Sequence, residues 1–418
     1  MSQTSTLPTL ETSAMIECLS DLIKIPSVTG SSAEGRAQHW FAERLRANGL
    51  ETDLWQIDLA EVTSAQNFPG MQAPREEAWG LVGTWGGNTG PVLILNGHID
   101  VVPPGDLSQW TSGDPFSGRV SEGKVFGRGA CDMKAGLICN LFALKAIQDA
   151  GLKLKGKVMI QSVVGEEDGG LGTFATLRRG FKGDAAIITE PTELSVIPAC
   201  AGALTFRLHL KGLSIHASVR RSGVSTIEKF WTIWRELEAL ESRRNQNASP
   251  LMSRFSPPYA LSVGTMQAGN WPSSVPDELT CEGRLGVALG EAPEDARREF
   301  EEAMSRVCQS DDWLRQHPVR VEWFGGQFAS GQIGADDPLV RLVCDTHKQL
   351  HGDSPMVHGA PYGSDLRLMT AANIPTLHYG PGSVKHAHAP NEFVPVSDMV
   401  ATAQTLVQII LQFCGVDD

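Results

Sequence analysis

The sequence predicts an α/β protein in which a mostly parallel sheet is covered by helices and a smaller α+β domain is inserted. Three observations predict this class. Short, nearly all-apolar runs alternate with amphipathic helical patterns up to residue 203, as expected for parallel strands buried on both faces. From residue 204 the strands instead alternate apolar and polar residues, as in an antiparallel sheet with one solvated face. The first pattern resumes near Pro338.

The first part of the chain is predicted to contain paired helices followed by alternating strands and helices. Residues 11–48 have helical periodicity that is interrupted by a loop at 25–30. The following strands are predicted at 81–85, 91–96, 157–164 and 185–188, with a helix at 133–150. Gly151 stands just past this helix, where glycine commonly ends helices. Residues 69–77 show no periodicity, and we expect a surface excursion there.

The inserted domain is predicted from four alternating strands and two amphipathic helices. The strands lie at 204–211, 260–266, 279–287 and 319–324, and the helices lie at 225–244 and 293–310. Such a set forms an antiparallel sheet with both helices on one face. A helix from 338, a strand at 375–379 and a helix at 397–413 return to the first pattern. We therefore predict a larger domain made of 1–203 and 330–418, with 204–329 inserted into it.

Composition and charge exclude several classes of protein. Acidic residues outnumber basic ones, 48 to 35, and the net charge of −13 disfavours binding to nucleic acid or to an anionic membrane surface. No apolar run reaches the roughly 18 residues of a membrane span. The stretch MSQTSTLPTLETSAMIECL lacks the basic start and apolar core of a secretion signal. Eight cysteines without a CxxC pair are typical of reduced thiols, so we expect a cytoplasmic protein.

Side chains that suit a metal follow the apolar strands of the larger domain. His98 and Asp100 end one strand and, being two residues apart, share a face of an extended chain. Glu190, His386 and His388 also follow apolar strands. Each residue taken alone has a structural alternative, because polar residues commonly end strands.

Further carboxylates lie in two turns. Asp132 follows a glycine-rich turn before a helix, at the edge of the sheet where open α/β folds bind ligands, although it would also serve as a helix cap. Glu166, Glu167 and Asp168 are consecutive after a buried strand. A divalent cation would relieve their mutual repulsion, and a solvated acidic turn is the alternative.

The joint set of residues favours a metal-dependent hydrolase. Histidine and carboxylate ligands without cysteine suit Zn²⁺, and also Co²⁺ or Mn²⁺. Two metals that share one carboxylate need about five ligands, which this set supplies. A further glutamate beside a ligand glutamate would serve as the general base that activates water.

Five motifs resemble those of a known enzyme family in order and spacing. They are NGHIDVVPPG, GRGACDMKAG, GEEDGG, TEPT and HAPNE. Over nearly its whole length the sequence is similar to the di-zinc hydrolase family that includes acetylornithine deacetylase, succinyl-diaminopimelate desuccinylase, aminoacylase and the bacterial glutamate carboxypeptidase. The resemblance implies a zinc-exopeptidase-like fold in which 204–329 is a lid and dimerisation domain inserted into a catalytic domain.

The resemblance also implies which residues bind the two metals. One metal would be bound by His98 and Glu190, and the other by Glu167 and His388. Asp132 would bridge them. Zn²⁺ is the expected ion, with Co²⁺ or Mn²⁺ as the alternatives.

Three residues receive catalytic roles from the resemblance. Glu166 would be the general base, and the Asp100 carboxylate would orient His98. His216, in the motif GLSIHA of the inserted domain, would reach the active site of a partner subunit and stabilise the oxyanion. This role implies a homodimer that forms through the inserted domain.

Substrate-binding residues are also implied, with alternatives. Arg284 and Arg367 match arginines that hold substrate carboxylates in some relatives, and structural salt bridges are the alternative. Asn270 lies in a variant of a segment that lines the substrate cleft in the family. Arg220 and Arg221 depart from the family pattern, and either an anionic substrate or a dimer interface would explain them.

These observations lead to one expected function and several alternatives. We expect a deacylase that removes an N-acyl group from an amino acid or a small amine. A dipeptidase or carboxypeptidase, or a deformylase of an aminopyrimidine, would use the same site. A non-catalytic metal- or peptide-binding relative is the alternative outside enzymes, and the presence of Glu166 argues against it.

Overall fold

The computed structural model describes residues 8–417, which form two compact units. The first comprises the described residues of Met1–Pro198, Gln332–His358 and Leu368–Asp418, and the second comprises Ala199–Gly331 and Gly359–Arg367. The predicted insertion, 204–329, falls within the second unit. Residues 1–7, in the stretch that was judged to lack a secretion signal, lie outside the described residues, as does residue 418.

One segment belongs to a different unit from the one that the sequence predicts. Residues 359–367 were expected in the larger domain, but they are part of the second unit. The reason lies in backbone hydrogen bonds, because Gly359 N donates to Leu251 O at 2.7 Å and Ala360 N donates to Ala199 O at 2.8 Å. These bonds hold the segment to the second unit.

The strands and helices follow the predicted pattern closely. Numbered along the chain, the strands are β1 (Glu51–Gln56), β2 (Trp79–Gly86), β3 (Val92–His98), β4 (Val120–Ser121), β5 (Lys124–Phe126), β6 (Lys157–Val163), β7 (Ala185–Ile188), β8 (Ala199–Cys200), β9 (Gly202–Lys211), β10 (Leu261–Ala268), β11 (Glu278–Val287), β12 (Arg320–Phe328), β13 (Gly331–Gln332), β14 (Thr376–His378) and β15 (Phe393–Pro395). The helices are α1 (Thr12–Ile23), α2 (Ala33–Ala47), α3 (Leu59–Thr63), α4 (Ala135–Asp149), α5 (Leu171–Arg178), α6 (Thr226–Arg244), α7 (Pro293–Ser310), α8 (Asp312–Gln316), α9 (Pro338–His351), α10 (Leu366–Ala371) and α11 (Val396–Cys414). Each predicted strand and helix is present, with ends that differ by a few residues. The elements that were not predicted are β1, β4, β5, β8, β13, β15, α3, α5, α8 and α10.

The main sheet of the first unit is mixed but mostly parallel. Its strand order is β1-β2-β6-β3-β7-β14. Strands β6, β3, β7 and β14 pair in parallel, whereas β1 and β2 add an antiparallel edge. This confirms the predicted fold class. Because β6, β3 and β7 run in the same direction, the residues that follow them lie at one edge of the sheet.

Strand β3 is buried on both faces, as its nearly all-apolar sequence predicts. Leu93 and Leu95 are 0% exposed and belong to the main core, which includes residues of α4 and α11. Ile94 points to the opposite face and packs in a smaller cluster with Met369 and Ile374. Helices therefore cover both sides of the central strands.

The second unit contains the predicted α+β layer. Its antiparallel sheet has the order β10-β11-β9-β12. The apolar residues of β9, from Leu204 to Leu210, are buried on one face together with residues of α6 and α7. Phe206 of the sheet and Phe300 of α7 have ring centroids 4.6 Å apart. Within residues 8–417, no helix has both the length and the apolarity that crossing a membrane requires.

Candidate metal centre

The candidate metal centre lies at the carboxyl ends of three neighbouring parallel strands. His98 is the last residue of β3, Glu166 and Glu167 follow β6, and Glu190 follows β7. In the register of β3 and β6, His98 is paired with Val163, so the acidic turn begins beside the histidine. The strand ends that were predicted to carry ligands therefore meet in space.

His98 is oriented for binding a cation through Nε2. The residue is 1% exposed, and its Nδ1 lies 2.8 Å from the carbonyl oxygen of Asp100. Since a carbonyl only accepts, the neutral ring carries its proton on Nδ1 and presents the lone pair of Nε2. That Nε2 lies 3.0 Å from Asp132 Oδ1 and 3.9 Å from Glu190 Oε1.

Asp100 holds His98 through its backbone, which corrects the prediction that its carboxylate would do so. The nearer carboxylate oxygen is 3.8 Å from His98 Nδ1, too far for a hydrogen bond. The carboxylate instead accepts from Thr29 Oγ1 at 3.0 Å and from the backbone N of Glu166 at 3.3 Å.

Asp132 lies between the two histidines. Its Oδ1 is 3.0 Å from His98 Nε2, and its Oδ2 is 3.4 Å from His388 Nε2. His388, in the loop between β14 and β15, also lies 3.1 Å from Glu167 Oε2. One carboxylate thus faces two sets of ligands, which is the arrangement expected of a bridging residue.

Among residues 8–417, two groups of side chains have donor atoms close enough to hold a cation. His98, Asp132 and Glu167 form one group, and His98, Glu166 and Glu190 form the other, with the donor atoms of each group within 4.8 Å of one another. Imidazole nitrogens and carboxylate oxygens suit Zn²⁺, and also Co²⁺ or Mn²⁺. The residues therefore fit divalent metal. His386, a further candidate from the sequence, instead packs its ring against that of Phe393, with the ring centroids 4.2 Å apart.

In the metal-free protein, the neighbouring carboxylates raise the pKa of both histidines of the centre. The hydrogen bonds of His388 to Asp132 and Glu167 raise its pKa to about 11. Burial opposes a charge on His98, but Asp132 and Glu190 raise its pKa well above the usual value. Burial and the Asp132 charge raise the pKa of Glu167. These shifts indicate that cations are favoured at the centre, and that metal and protons would compete for it.

Asp168, the third carboxylate of the acidic turn, belongs to a buried ion-pair cluster. Arg75 donates to both of its oxygens, at 2.9 and 3.0 Å, and to both oxygens of Glu34 at 3.1 Å. The Arg75 side chain is 0% exposed, so it anchors the excursion at 69–77, whose residues Gln72, Pro74 and Glu76 are exposed as expected. Gly169 is required there, because a Cβ would lie 2.0 Å from Gly70 O.

The predicted oxyanion residue, His216, is exposed on the second unit. The backbone N of Ser218 donates to its Nδ1 at 3.1 Å. Since Nδ1 accepts, the neutral ring carries its proton on Nε2 and offers a donor there. Ser274 pairs with His216 in a β-bridge, so the segment after the exposed Asn270 lies beside this histidine.

The two predicted substrate arginines differ in their surroundings. Arg284 on β11 donates to Pro361 O at 3.0 Å, and burial lowers its pKa because desolvation disfavours the charged form. Arg367 is 4% exposed, donates to Ser364 O at 2.7 Å and lies 4.0 Å above the ring of Phe328. The contacts of Arg367 favour the structural alternative, whereas Arg284 lies in a desolvated position that a carboxylate would complement.

Comparisons with known proteins identify the family of this chain. The family model described as peptidase family M20/M25/M40 matches residues 94–412. N-formyl-4-amino-5-aminomethyl-2-methylpyrimidine deformylase of Halalkalibacterium halodurans is 30% identical over 345 residues, which cover 77% of this chain and 79% of that protein. Acetylornithine deacetylase of Proteus mirabilis is 27% identical over 412 residues, 96% of each chain.

Solved structures show the same fold. The dipeptidase Dug1p from Saccharomyces cerevisiae matches with a TM-score of 0.77 and 16% identity, covering 96% of both chains. The M20 family metallo-carboxypeptidase Sso-CP2 from Sulfolobus solfataricus matches with a TM-score of 0.74 and 15% identity, covering 95% of this chain and 98% of that one.

The fold, the site and these matches together define a metal-dependent hydrolase of amide bonds. The chain belongs to peptidase family M20/M25/M40. The resemblance that was inferred from five motifs is thereby confirmed. Sequence reasoning missed Arg75 and Glu34, which lie 41 residues apart and share no motif.

Proposed function

We propose that this protein is a di-metal deacylase that cleaves the bond between a small acyl group and an amino acid or small amine. The single observation that carries the proposal is the position of Asp132, whose two oxygens face His98 and His388 respectively. Relatives named as a deformylase and a deacetylase support the choice of a deacylase.

The proposed ligands divide into two sets around Asp132. His98 and Glu190 hold one cation, and Glu167 and His388 hold the other, with Zn²⁺ as the expected ion and Co²⁺ or Mn²⁺ as alternatives. When bound, such ions polarise a carbonyl oxygen and make water easier to deprotonate. The protein contributes the spacing of the ligands, which is set by strand ends and tight turns.

Glu166 is the proposed general base. It is 8% exposed, and its donor atoms lie within 4.8 Å of those of His98 and Glu190. Its carboxylate takes the proton of the attacking water and then passes it to the nitrogen of the leaving amine. Asp100 supports this role, because its carboxylate accepts the backbone N–H of Glu166.

His216 is the proposed donor to the oxyanion that develops on the substrate. Its Nε2–H is available when the ring is neutral, and a donor placed where charge develops mainly raises the rate. We propose that it acts in a partner subunit, which requires a homodimer formed through the second unit. We also propose that the second unit acts as a lid and that the protein is cytoplasmic.

The substrate's amine part is proposed to carry a carboxylate that Arg284 binds. The desolvated guanidinium of Arg284 supports this, since a planar fork of donors matches a carboxylate. The second candidate function is deformylation of an aminopyrimidine, which the 30% identity to the Halalkalibacterium deformylase favours. An aminopyrimidine substrate would not require a carboxylate for Arg284 to bind.

A panel of matched amides tests the proposal. Formyl, acetyl and succinyl amides of one amino acid, the same amides of its decarboxylated amine, a formylaminopyrimidine and a dipeptide are assayed after reconstitution with Zn²⁺ or Co²⁺. We expect turnover of acyl amides above that of the dipeptide, with a preference for the carboxylate series. Turnover of formylaminopyrimidine alone would select the second candidate, and turnover of the dipeptide alone would contradict the deacylase.

The role of Arg284 is tested on the same panel. Arg284→Met should raise KM for carboxylate substrates and leave KM for the decarboxylated amides unchanged. Arg320→Met, at a 63% exposed arginine of the same sheet, is the control. An equal change in KM for both series would contradict carboxylate binding by Arg284.

A further inference from the structure

One buried ion pair joins two loops that carry metal-ligand candidates. Arg128 Nη1 donates to Glu392 Oε2 at 2.6 Å, and the two side chains are 2% and 0% exposed. Arg128 precedes Asp132 in the turn before α4, whereas Glu392 follows His388 in the loop before β15. Neither side chain belongs to the groups with converging donor atoms.

Glu392 reaches from the His388 loop to the backbone of the Asp132 turn. Its Oε1 accepts from the backbone N of Cys131 at 2.9 Å and of Asp132 at 3.1 Å. Such charge-assisted bonds to backbone N–H groups are among the strong hydrogen bonds of proteins. The carboxylate therefore fixes the backbone from which the Asp132 side chain extends.

Arg128 makes the reciprocal contact. Its Nη2 donates to His388 O at 3.2 Å, and its Nη1 donates to Ala389 O at 3.4 Å. His388 has a φ of 60°, in the left-handed region that residues other than glycine adopt at a cost in free energy. The arginine thus helps to hold this conformation, which places the imidazole near Asp132.

We propose that Arg128 and Glu392 are positioning residues that set the spacing between Asp132 and His388, and thereby the affinity for the cation at His388. Each residue holds the backbone of the ligand on the opposite loop, so loss of the pair allows the two ligands to separate. The cation at His98 depends less on the pair, because β3 and the Asp100 carbonyl hold His98. This inference rests on the proposed ligand assignment.

Metal titration of the full-length protein tests the inference directly. The protein is stripped with a chelator, and Co²⁺ alone is added while visible absorption and heat are recorded. Wild type should bind two equivalents. Glu392→Gln keeps a side-chain oxygen that can accept from the backbone N–H groups of Cys131 and Asp132, but it removes the ion pair. Arg128→Lys keeps the positive charge but removes the planar guanidinium group and its several N–H donors. Both variants should weaken the binding of one equivalent of Co²⁺ 10–100-fold and leave the affinity for the other equivalent unchanged.

Activity gives a second signature that a purely structural role would not produce. The kcat of both variants should fall at limiting Co²⁺ and recover towards wild type when Co²⁺ is in excess, while KM stays unchanged. Arg244→Lys is the matched control, because Arg244 is also a buried arginine, 4% exposed and paired with Glu291, but it lies in the second unit. Arg244→Lys should leave the affinity for both equivalents of Co²⁺ unchanged.

The outcomes separate this inference from the proposed function. If wild type binds fewer than two equivalents, the proposed metal centre fails and the inference fails with it. If wild type binds two, and folded variants bind both with wild-type affinity or weaken both equally, the inference alone is overturned. Failure of both Glu392→Gln and Arg128→Lys to fold would likewise overturn it, because the pair would then serve the fold and not the spacing.

Discussion

The backbone N–H of Glu166 donates to Oδ1 of Asp100, with the two atoms 3.3 Å apart. The carbonyl of the same aspartate holds His98 Nδ1 at 2.8 Å. Asp100 therefore fixes the proposed base and a proposed ligand relative to each other. The aspartate is itself 0% exposed, and its carboxylate also accepts from Thr29 Oγ1.

Glu166→Gln should retain two metals and lose most activity. The amide cannot accept a proton from water, and loss of a general base typically lowers the rate about 10²–10⁴-fold. Metal content and kcat are measured together. Glu76→Gln, at an exposed carboxylate of the same unit, is the control and should keep wild-type kcat. A rate within a few-fold of wild type, with both metals bound, would show that Glu166 is not the base.

Arg75→Met should destabilise the protein strongly. Its removal leaves the buried carboxylates of Glu34 and Asp168 without their shared cation, and breaking a buried ion pair costs about 3–5 kcal/mol. Urea unfolding measures the loss. Arg179→Met is the control, because Arg179 and Asp53 form an exposed pair at 2.8 Å, which is worth at most about 1 kcal/mol. Equal destabilisation by the two variants would contradict the importance of the buried cluster.

Metal binding at neutral pH should release protons. The pKa of His388 is about 11 in the metal-free protein, so the ring is charged at pH 7, whereas a metal takes the neutral ring. The apparent affinity should therefore rise with pH up to that pKa, by about tenfold per unit for each proton released. Calorimetry in two buffers of different ionisation enthalpy measures the proton count.

A variant of the neighbouring histidine provides the control for proton release. His386→Ala should leave the proton count unchanged, because this ring packs against Phe393 and is not a proposed ligand. His388→Ala should lower it. Binding heats that are the same in both buffers for wild type would contradict the predicted displacement of protons.

Mixed dimers should recover activity from two inactive variants. His216→Ala subunits lack the proposed oxyanion donor, and Glu166→Gln subunits lack the proposed base. In a mixed dimer one site has its own Glu166 and the His216 of the partner subunit, so activity should return as the subunits exchange. Mixtures that exchange subunits, as shown by mass spectrometry, and stay inactive would mean that His216 does not act across an interface.

The strands that carry the site could be predicted because their sequences are distinctive. The apolar runs of β3, β6 and β7 each end at a ligand candidate. The hydrophobic pattern that predicts each strand and the motif that predicts its ligand therefore support each other. Strand β1 was missed because its residues, ETDLWQ, are partly exposed at the edge of the sheet and lack an apolar run. Edge strands carry a weak signal for this physical reason.

The finer contacts of the site could not be predicted from the sequence. Whether the carbonyl or the carboxylate of Asp100 holds His98 depends on the backbone direction after β3, which residue types do not specify. The partners of Arg75 lie 41 and 93 residues away, so local patterns give no sign of them. The segment 359–367 changes units because of backbone hydrogen bonds, which are independent of side-chain pattern.

The central claim is that Asp132 lies between two cations. Crystals of the Zn²⁺-loaded protein, measured on both sides of the zinc absorption edge, give an anomalous difference peak at each bound ion. We expect two peaks, one beside His98 and one beside His388, each in contact with one oxygen of Asp132. A single peak, or two peaks that do not share Asp132, would contradict the account.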